Sequence, residues 1–333
     1  MTDANRSIEE SDGLLEGLLP EVVRVGVSSC LLGNSVRFDG GHKRSRFITD
    51  ELAQHFEFVK FCPELAIGMG VPRQPIRLTG EAAEPRVVGV KNPEFDVTQP
   101  LQDYSRTAAL KMQGLDGFIY KKDSPSCGMA RVKVYNDAGM AERTGTGVFA
   151  RAVMTENPLL PVEEEGRLND PDLRDNFVMR VYVHARWRHM SAGTVTASRL
   201  LDFHTTHKYL LLAHSEVAYR ALGTLLADLS VESIDSIADR YIAQLMQALS
   251  KPASRKRHSN VLLHLLGYLR KSLDAPLRRD LARTIAAYRN GDYPLVVPIR
   301  LLQHQFITHP HPYISRQVYL DPHPAALKLR NLL

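Results

Sequence analysis

Along the first half of the chain, runs of β-branched and aromatic residues alternate with stretches whose apolar positions recur at helical spacing. Residues 22–29 (VVRVGVSS), 56–61 (FEFVKF), 87–90 (VVGV), 117–122 (GFIYKK) and 130–135 (ARVKVY) predict strands. Residues 44–56 and 103–115 predict helices between them. Such alternation implies an α/β domain with a mostly parallel sheet, and right-handed crossovers limit it to a few doubly wound forms. Residues 157–175 are punctuated by Pro, Gly and acidic residues, the mark of a domain end. Beyond them the pattern is helical, over 200–229, 231–250, 257–273 and 276–291. Thr205, Ser230 and Asp274 fall in expected cap regions, and Gly291 follows the last predicted helix. The expected organisation is a mostly parallel-sheet α/β domain over 20–165, a linker over 166–189 and an all-α domain over 190–333.

Length and composition agree with that division. A chain of 333 residues exceeds one typical core. Its 44% hydrophobic and 24% charged residues are those of an ordinary globular protein. No run is apolar enough to span a membrane, and residues 1–22 have neither the basic start nor the apolar core of a signal peptide. They read as a polar leader, and a cytoplasmic location is expected. Charge is unevenly spread. Residues 1–169 carry 20 Lys and Arg against 24 Asp and Glu, whereas residues 170–333 carry 22 against 13. The basic second half suits a polyanion such as nucleic acid, or is a solvated helical surface.

Three cysteines are present, an odd number that argues against a disulfide framework. Each sits just past a predicted strand. Cys30 follows 22–29, Cys62 ends 56–61 and Cys127 lies five residues beyond 117–122. The C-terminal ends of parallel strands line one crevice, so three residues far apart in sequence can converge there. Their flanks, SSCLLGN, CPELAIG and DSPSCGM, combine small residues with Pro and Gly. Such turns admit close backbone approach to a bulky inorganic group. Structural zinc normally takes four ligands in paired knuckles, which are lacking. A single nucleophilic cysteine leaves two unexplained. Inert burial and a shared metal or cluster both remain open, the latter pointing to an iron–sulfur centre with one iron not held by protein.

SSCLLGNSVRFDGGHKRS, CPELAIGMGVPRQPIRL and KKDSPSCGM together resemble the thiouracil desulfidase family, over about residues 20–165. The resemblance implies a [4Fe–4S] cluster on Cys30, Cys62 and Cys127, with a fourth iron for the sulfur of a thiocarbonyl base. FHTTHKYLLLAHS, KRHSNVLLHLLGYLRKSL, YRNGDYPLVVPIRLLQHQF and YLDPHPAALKLRNLL resemble a YbgA-type helical domain over about residues 190–333. The pairing is similar to that in bacterial desulfidases of 4-thiouridine in tRNA. It implies that the helical domain recruits tRNA and the first domain removes sulfur, giving uridine by hydrolytic, non-redox C–S cleavage.

Within that reading an open iron polarises the thiocarbonyl while water attacks C4 of the base. Glu64, two residues after Cys62, is the expected acid–base group, or else a first-turn helix acid. Ser124 and Ser126, flanking Pro125, are expected to bond the base, the water or a sulfide, or to cap the following segment. Arg37, Asp39, Lys43 and Arg73 are candidates for gripping phosphate or ribose. Lys251, Arg255, Lys256, Arg257, Arg270 and Lys271, continued by Arg278, Arg279 and Arg283, form the expected tRNA dock, since phosphate contacts would meet the cost of exposing a stacked base. His204 and His207 share a helix face, but helical pairs of this kind are more often packed than metal-bound. Two other functions stay open: desulfidation of free thiouracil-type compounds, and a non-enzymatic iron–sulfur sensor that binds nucleic acid.

Overall fold

The sequence RVGVS forms the central strand β1 (Arg24–Ser28): Val25 and Val27 are fully buried on one face of a parallel sheet, and Gly26 and Ser28 are buried on the other. A computed structural model of the protein describes residues 22–227, 229 and 233–331. Chain contacts divide it into two compact units, residues 22–170 and the segment from Pro171 onward. The leader and the expected cap Ser230 lie outside the described residues.

In the first unit β1 pairs in parallel with β2 (Glu57–Phe61). A short helix α1 (Pro63–Ala66) follows β2 directly. Two further strands, β3 (Ile76–Thr79) and β4 (Arg86–Gly89), precede helix α2 (Thr98–Leu110). Next come β5 (Gly117–Tyr120), β6 (Val132–Tyr135), β7 (Ala141–Gly145), helix α3 (Val148–Glu156) and β8 (Val162–Glu164). The strands form two four-stranded sheets. The order β2-β1-β5-β8 is parallel throughout. The order β4-β3-β6-β7 joins antiparallel pairs at both ends to a parallel β3–β6 pair. Thus the expected strands at 87–90 and 130–135 belong to a second, mixed sheet. β7, AERTG, is exposed along most of its length, so no hydrophobic alternation announced it.

Phe118 of β5 lies against β1, where a Cβ at Gly26 would come within 2.3 Å of its ring. Phe61, Phe118 and Phe149 pack with centroids 5.4–5.8 Å apart, joining sheet and α3 in one core with Ala109, Met112 and Val153. The segment expected as helix 44–56 is a π turn (Phe47–Glu51) followed by a 3-10 turn (Leu52–Gln54). The helix expected at 103–115 begins earlier, at Thr98, because Pro100 falls in the first turn, where a missing N–H costs nothing.

The second unit is helical, and with the parallel sheet of the first it gives the α/β plus all-α architecture expected from the pattern. Its helices are α4 (Pro171–Ser191), α5 (Ala197–His214), α6 (Glu216–Ala227), α7 (Ile234–Leu249), α8 (Arg255–Tyr268), α9 (Ala275–Asn290) and α10 (Val296–Thr308). The stretch 166–189, expected as a linker, is therefore mostly α4. Its buried residues run consecutively from Asn176 to Met179 and from Val181 to Val183, so it carries no apolar stripe to read. Thr205 lies inside α5, which is capped by Thr196, and the helix expected at 200–229 breaks at Ser215. Asp274 does cap α9, its carboxylate accepting from the Leu277 amide at 2.8 Å, and Gly291 ends that helix at φ +99°. None of the helices is long and apolar enough to cross a membrane, among the described residues.

Candidate active site

Because β2, β1 and β5 are adjacent and parallel, their C-terminal ends open on the same edge of the sheet. Cys30 lies in a 3-10 turn (Ser29–Leu32) after β1, its carbonyl accepting from the Lys43 amide at 2.9 Å. Cys62 follows β2 at once and caps α1. Cys127 ends the loop after β5, where the Ser124 hydroxyl oxygen accepts from the amides of Ser126 (3.3 Å) and Cys127 (3.0 Å). This turn seats against the start of α3. A Cβ at Gly147 would come within 2.5 Å of the Ser126 carbonyl oxygen, so only glycine fits there.

All three cysteines line one cavity of about 390 Å³. Glu64, Ser124, Arg37, Lys43 and Arg73 line it too. Ser126 and Asp39 do not. Ser126 is fully buried and its hydroxyl has no partner, while Asp39 is exposed beside Arg37 at 3.6 Å. Hydrogen bonding from the Gly41 amide is the main reason the Asp39 carboxyl sits below its usual range. Glu64 Oε2 lies 3.5 Å from Cys62 Sγ and 4.0 Å from Arg73 Nη2. Both of those charged side chains are largely buried, so their interaction is screened less than a surface pair. Arg73 is held in place by donating to the Gly70 carbonyl at 2.9 Å.

Burial raises all three thiols. It pushes Cys62 up to about 11, aided by the nearby Glu64 carboxylate. For Cys30, Lys121 and Arg37 partly oppose it. Cys127 lies well above its ordinary value, through burial and then repulsion from Glu64 and from the other two cysteines. Cys127 thus feels both of the other sulfurs, and strong positive charge would be needed to draw all three into the thiolate form. Soft donors converging on one cavity fit a thiolate-bound iron–sulfur cluster. Among the described residues, no group of three or more His, Cys, Asp or Glu is disposed to hold a single metal ion.

Lys121 and Gln74 also line the cavity and were not foreseen. Lys121 directly follows β5 on the way to Cys127, pairs with Glu165, and its amide donates to Ser28 Oγ at 2.9 Å. Its position at a strand end, the same signal that marked the cysteines, was enough to find it.

The basic residues of the second unit fall into two groups. Lys251, Lys256, Arg270 and Lys271 are exposed. Arg255 instead donates to the Tyr288 carbonyl at 3.2 Å and lies over that ring, and Arg257 donates to the His214 carbonyl. Arg255 is thus half-buried in helix packing, whereas Arg257 remains exposed. His207 stacks on Phe203 at 4.0 Å, and His204 reaches the Tyr241 hydroxyl at 3.3 Å, so the pair is packed.

The chain is 32% identical over 158 residues to the uncharacterised protein YbgA of Escherichia coli K12, covering 94% of that protein and 47% of this chain. It is 32% identical over 151 residues to the uncharacterised protein YbbK of Bacillus subtilis 168, covering 97% of that protein and 43% of this chain. The family model for 2-thiouracil desulfurase matches residues 25–165, and that for a protein of unknown function, DUF1722, matches residues 208–324. The chain belongs to the 2-thiouracil desulfurase family, with a DUF1722 domain joined to it. The first match contains all three cysteines and Glu64, and the second spans α6 to α10. Among solved structures, the [4Fe-4S]-dependent thiouracil desulfidase TudS aligns at 32% identity with a TM-score of 0.36, over 44% of this chain and 94% of TudS.

Proposed function

We propose that this desulfurase-family chain is an enzyme that removes sulfur from 4-thiouridine in tRNA, giving uridine, with a [4Fe–4S] cluster held by Cys30, Cys62 and Cys127. The observation that carries this reading is the convergence of three thiols, those of Cys30 and Cys127 buried and that of Cys62 half-buried, and a carboxylate on one cavity at the ends of β1, β2 and β5. When bound, the cluster would supply one iron without a protein ligand, a soft Lewis acid for a thiocarbonyl sulfur. The reaction exchanges carbon–sulfur for carbon–oxygen. Water adds at C4, sulfur leaves as hydrosulfide, and no electrons are gained or lost.

The protein's part is proton handling and exclusion of bulk water. Glu64 Oε2 takes the proton from the attacking water, and Arg73 steadies that carboxylate from 4.0 Å. Of the two serines, Ser124 is the one that lines the cavity. Its oxygen already accepts two amide hydrogens, so its own O–H is left to donate to the base or to the leaving sulfur. Arg37, Lys43 and Lys121 surround the departing negative charge with positive charge. Asp39 serves here through Arg37, not by touching substrate.

The tRNA half of the reading rests on the second unit. Its exposed Lys251, Lys256, Arg270 and Lys271 would contact phosphate whatever the sequence. A second reading, action on free thiouracil-type compounds, is favoured by one observation: every cavity residue named above belongs to residues 22–170. The test is anaerobic reconstitution of the full chain with iron and sulfide, reaction with thiolated tRNA and with free 4-thiouridine, and mass analysis of nucleosides. Conversion in tRNA supports the proposal. Conversion of the free nucleoside alone supports the second reading. An iron-loaded protein that binds thiolated tRNA but converts neither substrate supports a non-enzymatic iron–sulfur sensor and overturns the desulfidase reading.

A further inference from the structure

A groove in the helical unit falls outside everything the desulfurase reading uses. It encloses about 780 Å³ and is lined by Lys208 of α5, Tyr219 and Arg220 of α6, Tyr268 at the end of α8, and His311 and Tyr313 in the loop after α10. Four separate elements thus contribute, and no Asp or Glu is among its described lining residues. We infer that this groove binds an unpaired nucleotide of RNA, stacking the base on its tyrosines and meeting the phosphate with Lys208 and Arg220. The inference rests on the proposed tRNA substrate and names where its single-stranded part is held.

The tyrosines are not packed as core residues are. Tyr241 and Tyr319 of the same unit are fully buried, whereas Tyr268 is 39% exposed. An exposed aromatic ring at a helix end is ordinary when single, but this one belongs to an array. Tyr268 lies 6.0 Å from Tyr313 with the rings tilted by 32°, and 4.9 Å edge-on from His311. Its hydroxyl is tied down by the Tyr209 hydroxyl at 3.1 Å, so the ring is held while its outer face stays open. Lys208 Nζ lies 5.6 Å over the Tyr219 ring, which keeps an ammonium beside an aromatic face. Preorganised rings flanked by cations are the arrangement that stacks bases and tracks a phosphate backbone. A base-paired duplex offers it no free base face. This site differs from the exposed lysines and arginines of α8 and α9, which offer charge without rings.

The experiment measures binding of fluorescein-labelled oligouridylate, and of a blunt RNA duplex of equal charge, to the full-length protein across a salt series. Tyr268→Ala is expected to weaken oligouridylate binding roughly tenfold, the usual scale for losing one stacked base. Tyr268→Phe keeps the ring and should stay within about threefold of the parent protein. Lys208→Gln should lower the slope of log affinity against log salt by about 0.7, the value for one single-strand phosphate contact. Arg220→Glu, on an exposed side chain that pairs with Glu216 at 2.6 Å, reverses the charge without touching the core and should also weaken binding. Duplex binding and turnover of free 4-thiouridine should be unchanged in every variant. If Tyr268→Ala and Arg220→Glu both bind oligouridylate as the parent does, the groove is not an RNA site, and a protein ligand would be sought instead. If the parent desulfurises tRNA while these variants bind normally, the groove inference alone fails. If the variants lose binding but the parent leaves thiolated tRNA untouched, the proposed substrate fails and the RNA site stands.

Discussion

Lowering the pH from 7 to 5 should unfold the helical unit, because three of its histidines are buried in the neutral form. His207 and His258 are held down to about 3 and His214 to about 4, in each case chiefly by burial. Arg186 adds to the effect at His207 and Arg330 at His258, while the Leu210 carbonyl and Asp175 partly oppose it at His214. In the unfolded chain each would titrate near pH 6.5. A depressed folded value means that the unfolded state binds the proton first. The stability contribution is therefore complete above pH 6.5 and is lost as pH falls toward 4. Each of the three loses about 2 kcal/mol between pH 7 and pH 5, and together about 6 kcal/mol. That is comparable with the whole stability of a typical domain, about 5–15 kcal/mol. The chain's single tryptophan, Trp187, lies in α4 with its ring 5.2 Å from that of Phe203, so its fluorescence reports this unit. Urea unfolding followed by that signal should show the midpoint falling steeply below pH 6.5, and His258→Gln should remove about a third of the slope. A midpoint that stays constant from pH 7 to pH 5 would refute the neutral, buried state of these side chains.

Three further outcomes follow from the two sites. Cys30→Ser, Cys62→Ser and Cys127→Ser should each lose the roughly four irons per chain expected of the reconstituted protein, because a hydroxyl replaces a thiolate poorly; full iron in any one variant would end the three-ligand assignment. Glu64→Gln should keep the iron and its visible spectrum but lower turnover by about 10²-fold or more, and normal turnover would leave Glu64 as a helix-start acid only. Replacing the exposed Lys251, Lys256, Arg270 and Lys271 together by Ala should flatten the salt dependence of tRNA binding by up to about 3.6 units, with iron content unchanged; an equal slope would make them a solvated surface.

What the chain alone could determine was set by local chemistry. Strand-forming runs that stop at Cys30 and Cys62, and a Ser-Pro-Ser turn before Cys127, mark the strand ends without any knowledge of the fold. Asp274 and Gly291 could be read as helix ends because a cap involves only neighbours in sequence. Tertiary structure decided everything that depends on distant partners. β7 pairs with β6 through its backbone, so its polar side chains carry no trace of the sheet. α4 is surrounded on all sides, which erases the periodicity that would have revealed it. Ser124 and Ser126 are two residues apart and chemically identical. The packing of Gly147 against the Ser126 backbone leaves only Ser124 on the cavity. Arg255 looks like Lys256 in sequence, yet the carbonyl and ring of Tyr288 hold it half-buried while Lys256 stays exposed. Lys208, Tyr268 and Tyr313 meet only because α5, α8 and the loop after α10 pack together. Their shared groove is a property of that packing, since residues so far apart along a chain have no local interaction to signal that they will be neighbours.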